Sequence, residues 1–200
     1  MAGRGDLGGV QTLTLASTSP QRLAILEQLA IAFEVVAPDY LEDDPPEADP
    51  AELVRRHAEG KARSAHAAGR LTLGVDTTVV LDERLYGKPV DRADAARMLN
   101  ELSGRTHAVL SGLCLLGLEE DVILHEVTHV TFRVLSHDLV EAYLASGEWE
   151  GRAGAYAIQG LGGRLVERIE GDYLNVVGLP GALLVSLLEH HAPNLLQTRR

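Results

Sequence analysis

One cysteine, Cys114, in a chain of 200 residues leaves no disulfide framework to form and no cysteine set to hold zinc. It lies in the apolar stretch VLSGLCLLGL (109–118), where a core position and a reducing compartment are expected. Basic residues are also scarce. Eighteen Lys and Arg face 29 Asp and Glu, and the net charge of −11 argues against a nucleic-acid or anionic-membrane binder, which would reward the opposite excess. Long hydrophobic runs are missing: those around 110–118 and 179–188 fall short of a membrane span, and MAGRGDLGGVQ at the start carries no apolar segment of a secretion signal. A cytoplasmic protein that meets neither membrane nor nucleic acid is expected. The tripeptide Arg4-Gly5-Asp6 reads as coincidence in a frayed terminus.

The usual phosphate and nucleophile loops are absent as well. No G-x-x-x-x-G-K-[ST], G-x-G-x-x-G or G-x-S-x-G occurs, so a phosphate ligand would need another device: a few local basic groups and a divalent cation. His125-Glu126-Val127-Thr128-His129 spells H-E-x-x-H, but that zinc pattern needs a helix to bring its histidines to one metal. Here Val122, Leu124, Val130, Phe132 and Val134 alternate at period two. On a strand the two histidines stand roughly 13 Å apart, with Glu126 on the other face, so both read as solvated strand residues.

What is present is 46% hydrophobic content in strands alternating with helices, without internal repeats, which predicts an α/β fold. Thr12–Ala16 and Phe33–Ala37 read as strands around a helix that Ser19 can cap, with Pro20 in its first turn. An acidic, Pro-rich loop over 38–50 follows, carrying Asp39, Glu42, Asp43, Asp44, Glu47 and Asp49. Asp49-Pro50-Ala51-Glu52 opens a helix running to about Gly69. Leu71–Val75 and Thr78–Leu81 are expected as two strands flanking Asp76-Thr77, then a tight turn at Asp82-Glu83. Asp91 caps a helix ending near Ser103. Ala108–Leu118 and Val122–Leu135 are expected as long paired strands, with a helix after Ser136, glycine-rich loop over 151–163, a short strand at Leu165–Ile169 and a closing helix at Leu179–His190. The domain expectation is a flexible stretch 1–11, a single domain 12–190 and a tail 191–200.

On residues alone, Ser17-Thr18-Ser19-Pro20-Gln21-Arg22 offers hydroxyls and a helix N-terminus to an anion, though a capped helix start reads the same way. Asp76 is either a turn former or a carboxylate presented for chemistry, and Lys61 and Lys88 are uninformative singly.

The strings decide in company. LASTSPQR (15–22), EGKA (59–62), GVDTTVV (74–80), GKPVD (87–91), LSGRTH (102–107), GAYAIQGLGG (154–163) and GDYLNVVGLP (171–180) resemble, in this order, the motifs of the Maf family, named for septum-formation inhibition. The resemblance implies an elongated mixed sheet with flanking helices and two lobes around a cleft, similar to inosine-triphosphate-pyrophosphatase-like proteins. It implies a metal-dependent nucleoside triphosphate pyrophosphatase, acting as a homodimer, that releases a monophosphate and pyrophosphate. In that reading Ser17, Ser19, Arg22, Lys61 and Lys88 hold the phosphates. Asp76 accepts the proton of the attacking water, and Asp76 with Glu42 binds Mg²⁺ or Mn²⁺. Gln21, Thr77 and Gln159 fall at base-selecting positions. The dTTP- and UTP-specific branch resembles Arg, Thr and Gln there; the 7-methyl-GTP branch resembles Trp, Gln and Glu. Thr77 and Gln159 side with the pyrimidines, Gln21 matches neither, and Ala157 stands where a Gly is usual. The alternatives are the 7-methyl-GTP branch, a non-catalytic nucleotide-binding regulator of septum formation, and an unrelated metal hydrolase.

Overall fold

Local rules account for most of the elements in the computed structural model, which describes residues 12–43, 45 and 48–196. The segment 1–11, Asp44, Pro46, Glu47 and the last residues, 197–200, lie outside the described residues. In chain order the elements are β1 (Leu13–Leu15), α1 (Pro20–Gln28), β2 (Phe33–Val35), α2 (Pro50–Ala65), β3 (Leu71–Leu81), β4 (Arg84–Tyr86) and α3 (Arg92–Leu102). Then come β5 (Thr106–Leu116), β6 (Val122–Phe132), α4 (His137–Ala145), β7 (Val166–Glu170), α5 (Tyr173–Val177) and α6 (Gly181–His191). The Asp49, Asp91 and Ser136 side chains accept from the backbone N–H three residues on, at 2.8, 2.8 and 3.3 Å, and fix the starts of α2, α3 and α4. Asp82 and Glu83, both at positive φ (49° and 65°), make the tight turn between β3 and β4. None of the described helices is long and apolar enough to cross a membrane.

The seven strands form one mixed sheet in the order β2-β1-β3-β5-β6-β7, with β4 also on β3. β1 is parallel to β2 and β3; the remaining pairs are antiparallel. Two cores divide the sheet lengthwise. Leu71, Leu73 and Val75 of β3 join α1 and α6 residues in one, while Val79 and Leu81 join α3 and α4 residues in the other. These are alternate positions on one face of β3, and Thr77, the position between Val75 and Val79, marks where the two lobes meet. The other face of β3 is covered by α2, through Ala58 and Ala62 packed on Cys114 and Leu116. Burial pushes the Cys114 thiol up to about 12, which leaves it a core residue without thiolate chemistry.

Three expectations are corrected and one element is added. Leu71–Leu81 is one continuous strand, not two: β5 pairs with it from Thr72 to Val80, and a backbone ladder is indifferent to the polarity of Asp76 and Thr77. α2 stops at Ala65, because Gly69 at φ 76° and the Arg70 N–H on the Ala67 carbonyl turn the chain into β3. The closing helix forms as expected, as α6, but the sequence reading gave no element to Tyr173–Val177, the short helix α5, which ends at Gly178, whose φ of 131° a side chain would resist. Ser19 begins α1, but its hydroxyl donates to Gln21 Oε1 at 3.1 Å and does not cap the helix. Beyond α6, Pro193–Leu196 form a 3-10 turn that buries Leu195. The H-E-x-x-H string lies wholly within β6, as its period-two pattern predicts.

Candidate active site

A break in the sheet opens the cleft. On one edge of β3, β1 pairs with Leu71–Leu73 and β4 with Val79–Leu81; between them no described strand covers that edge. β1 diverges there into the Ser17–Arg22 segment and α1. Such a divergence, at the carboxyl end of parallel strands, is where open α/β sheets place ligands. The resulting cavity, of about 990 Å³, has room for a nucleotide, and Asp76 and Thr77 lie on its floor.

α2 delivers the first cation. Lys61 Nζ lies 2.5 Å from Asp76 Oδ1 and 2.5 Å from Glu42 Oε1, so one ammonium joins a strand carboxylate to a loop carboxylate. The Lys61 and Asp76 side chains are 10% and 12% exposed and that of Glu42 44%, so the pair is largely shielded and its third member opens to solvent. Glu42 belongs to a loop without regular structure, yet it is held on both sides. Tyr40 bonds through its hydroxyl to His57 Nδ1 at 2.9 Å and lays its ring against Gly60, while Arg56 donates to the Asp43 carbonyl at 2.5 Å. His57 is four residues before Lys61, on the same face of α2. Tyr40 and His57 have no part in the sequence reading; the i,i+4 spacing from Lys61 is the signal that could have found His57.

The second cation comes from α1. Arg22 donates through Nε to the Gly178 carbonyl at 2.9 Å, through Nη1 to Ser17 Oγ at 3.2 Å and through Nη2 to Thr77 Oγ1 at 3.4 Å. Its guanidinium is thus fixed between β1, β3 and α5. Burial lowers its pKa, against the pull of the Asp76 and Glu42 charges. The Thr77 hydroxyl also reaches Ser111 Oγ at 2.8 Å and the Gly178 carbonyl at 3.3 Å. Three protein partners therefore occupy that hydroxyl. Ser17 accepts from the Ser19 N–H at 3.2 Å as well, so it shapes the turn into α1 while lying behind the cleft wall. With no side-chain cap, the first N–H groups of α1 are left to an incoming anion.

The opposite wall comes from the other lobe: Arg84 of β4, Gly87 and Lys88 after it, and Glu150, Arg152 and Tyr156 after α4. Lys88 is exposed and makes no ion pair with a described residue. Of the residues singled out in the sequence, Ser19, Gln21, Arg22, Glu42, Lys61, Asp76, Thr77 and Lys88 line one cavity. Gln159 does not. It sits at the tip of the turn closed by the Gly160 N–H on the Ala157 carbonyl, exposed and outside the lining. Arg152 went unnoticed in the sequence, although a cation beside a glycine-rich motif in an acidic chain is a signal.

Among the described residues no group of three or more His, Cys, Asp or Glu converges on a metal position. The two carboxylates that share Lys61 are hard oxygen donors. A pair of them suits a small divalent ion that takes its other ligands from phosphate and water.

A family model described as "Maf-like protein" matches residues 12–191. A protein of Symbiobacterium thermophilum named dTTP/UTP pyrophosphatase is 46% identical over 181 residues, covering 90% of this chain and 93% of its own. Proteins of the same name from Gloeobacter violaceus and Pyrococcus furiosus are 46% and 40% identical, covering 88% and 90% of this chain and 94% and 95% of theirs.

Proposed function

Because the chain belongs to the family of Maf-like proteins, we propose that it is a nucleoside triphosphate pyrophosphatase that prefers dTTP and UTP and yields the monophosphate and pyrophosphate. The observation that carries this reading is the Glu42–Lys61–Asp76 cluster on the floor of a cleft with Arg22 on one wall and Lys88 on the other. Lys61 occupies Asp76 Oδ1 and leaves Oδ2 without a partner among the described residues. A water held there loses its proton to Oδ2 as its oxygen bonds to the α-phosphorus. The α–β bridging bond breaks, and its electrons leave with pyrophosphate. Arg22, Lys61, Lys88 and the α1 N–H groups orient the phosphates and offset the charge that collects on the leaving group. Glu42 and Asp76 would hold Mg²⁺ or Mn²⁺, which supplies Lewis-acid stabilisation of that same charge. Location in the cytoplasm and assembly as a homodimer are part of the proposal.

The test is turnover of dTTP, UTP, CTP, ATP, GTP and 7-methyl-GTP with Mg²⁺ or Mn²⁺, products identified. Monophosphate and pyrophosphate from dTTP and UTP are expected, at a kcat/KM at least about tenfold above the purine nucleotides, with loss of activity in chelator. Orthophosphate as product, or 7-methyl-GTP as the better substrate, would overturn the reading.

Gln21 lines the cleft beside Arg22 but brings no charge. Gln21→Arg is therefore expected to lower KM for dTTP by about three- to tenfold, the effect of one added charge-assisted contact. An unchanged or higher KM would place the phosphates away from that side chain.

A further inference from the structure

The residues assigned so far leave the substrate's charge unmatched. Lys61 is already committed to Glu42 and Asp76, and Arg22 feels the same two carboxylates. Two cations and two anions cancel, while Glu83 and Glu150 add negative charge to the lining. A triphosphate entering this cleft needs more than Lys88.

Arg152 supplies the difference. Its side chain lines the cleft, and its Nε is buried with no hydrogen-bond partner. Several arginines outside the cleft floor are engaged, as Arg63, Arg84 and Arg97 are with Glu59, Glu101 and Asp94. Arg152 makes no ion pair or side-chain hydrogen bond to a described residue, not even to Glu150 two positions away. In a chain with 29 carboxylates, a buried guanidinium donor left unpaired is a group kept for something absent from the protein.

Its backbone is also fixed. The Arg152 N–H donates to the Trp149 carbonyl at 3.2 Å, and the Arg152 carbonyl accepts from the Ala155 N–H at 3.0 Å. Gly154 and Ala155 follow at φ 67° and 60°, and the Gly154 N–H donates to the Gly87 carbonyl at 3.2 Å. That bond ties the Arg152 turn to the residue before Lys88, so the two cations ride on one support, in the lobe facing Lys61 and Arg22.

We propose that Arg152 contacts the substrate, its guanidinium binding the polyphosphate beside Lys88. The inference rests on the nucleotide reading above, and its test is arranged so that each can fail alone. Arg152→Met keeps the aliphatic stem against its neighbours and removes the planar cation. With dTTP as substrate, and inorganic pyrophosphate and thymidine as inhibitors, the variant is expected to raise KM for dTTP and Ki for pyrophosphate by about 10- to 100-fold. Ki for thymidine should move less than about twofold, and added guanidinium should recover part of the loss. Arg152→Gln, read the same way, stands in if the Met variant does not fold. Unchanged KM and pyrophosphate Ki, or an equal loss of pyrophosphate and thymidine binding, would overturn the proposal while the nucleotide reading stands. If the wild-type protein releases no pyrophosphate from any nucleotide, that reading falls. Calorimetric titration with inorganic pyrophosphate then decides the role of Arg152, equal affinity in wild type and variant counting against it.

Discussion

Asp76→Asn is expected to lower kcat for dTTP by about 10³- to 10⁴-fold, toward the upper end of what a positioned proton acceptor contributes. Asparagine keeps the volume and an oxygen for Lys61, which lies 2.5 Å from Oδ1, but it loses the charge and the basic oxygen that would take the water's proton. Stability should change little, because two effects oppose each other. Lys61 loses one ion-pair partner yet keeps Glu42, and the two carboxylates that repel one another across its ammonium become one. A net change within about 1 kcal/mol corresponds to roughly 2–4 °C in the unfolding midpoint for a chain of this size. Single-turnover kinetics with dTTP and a thermal melt on the same preparation separate chemistry from fold. A kcat within about tenfold of wild type would put the proton acceptor elsewhere, with Glu42 the first alternative. A midpoint lower by more than about 10 °C would mean that Asp76 holds the cleft together and the kinetic loss is secondary.

How much of this was legible in the sequence follows from how local each feature is. The starts of α2, α3 and α4 were readable because Asp49, Asp91 and Ser136 bond three residues ahead, within one turn. The strand reading of His125–His129 held for the same reason: alternation is a property of neighbouring residues. Asp76-Thr77 misled because two polar residues between apolar runs look like a break, whereas the break lies in the sheet beside them, where β1 and β4 cover different lengths of β3. That gap depends on three strands whose pairing no window of sequence contains. The support of Glu42 is equally nonlocal, since Tyr40 meets His57 17 positions on, past the end of an acidic loop whose composition suggested only exposure. The resemblance named Lys61, Asp76 and Lys88; it took the fold to show that Lys61 ties Asp76 to Glu42, that Arg22 holds Thr77, and that Arg152 stands unpaired on the wall of Lys88.

The meeting of Lys61 and Asp76 itself depends on two glycines, and Gly112→Ala should undo it. A Cβ at Gly112 would fall on the carbonyl of Val54, and one at Gly74 on the carbonyl of Ala58, both backbone atoms of α2. Backbone cannot rotate away as a side chain tip can, so the helix must lift from the sheet or the strand must bend. Gly112 lies across the ladder from Asp76, and Lys61 follows Val54 by two turns on the same helix. Lifting α2 therefore costs core contacts at Ala58 and Ala62 and draws the ammonium off the carboxylate together. The variant is expected to lose about 3 kcal/mol of stability, roughly 6–12 °C in midpoint, at the upper end of overpacking effects. Its kcat for dTTP should also fall at temperatures where it remains folded, which a purely global destabilisation would not produce. Gly87→Ala, where an added Cβ meets nothing within 4 Å, is the stability control and should melt with the wild type. If Gly112→Ala instead melts and turns over as the wild type does, close approach of α2 to the sheet is not what sets Lys61 on Asp76. The placement would then have to come from the second carboxylate on Lys61, that of Glu42, and the Tyr40–His57 contact that anchors its loop.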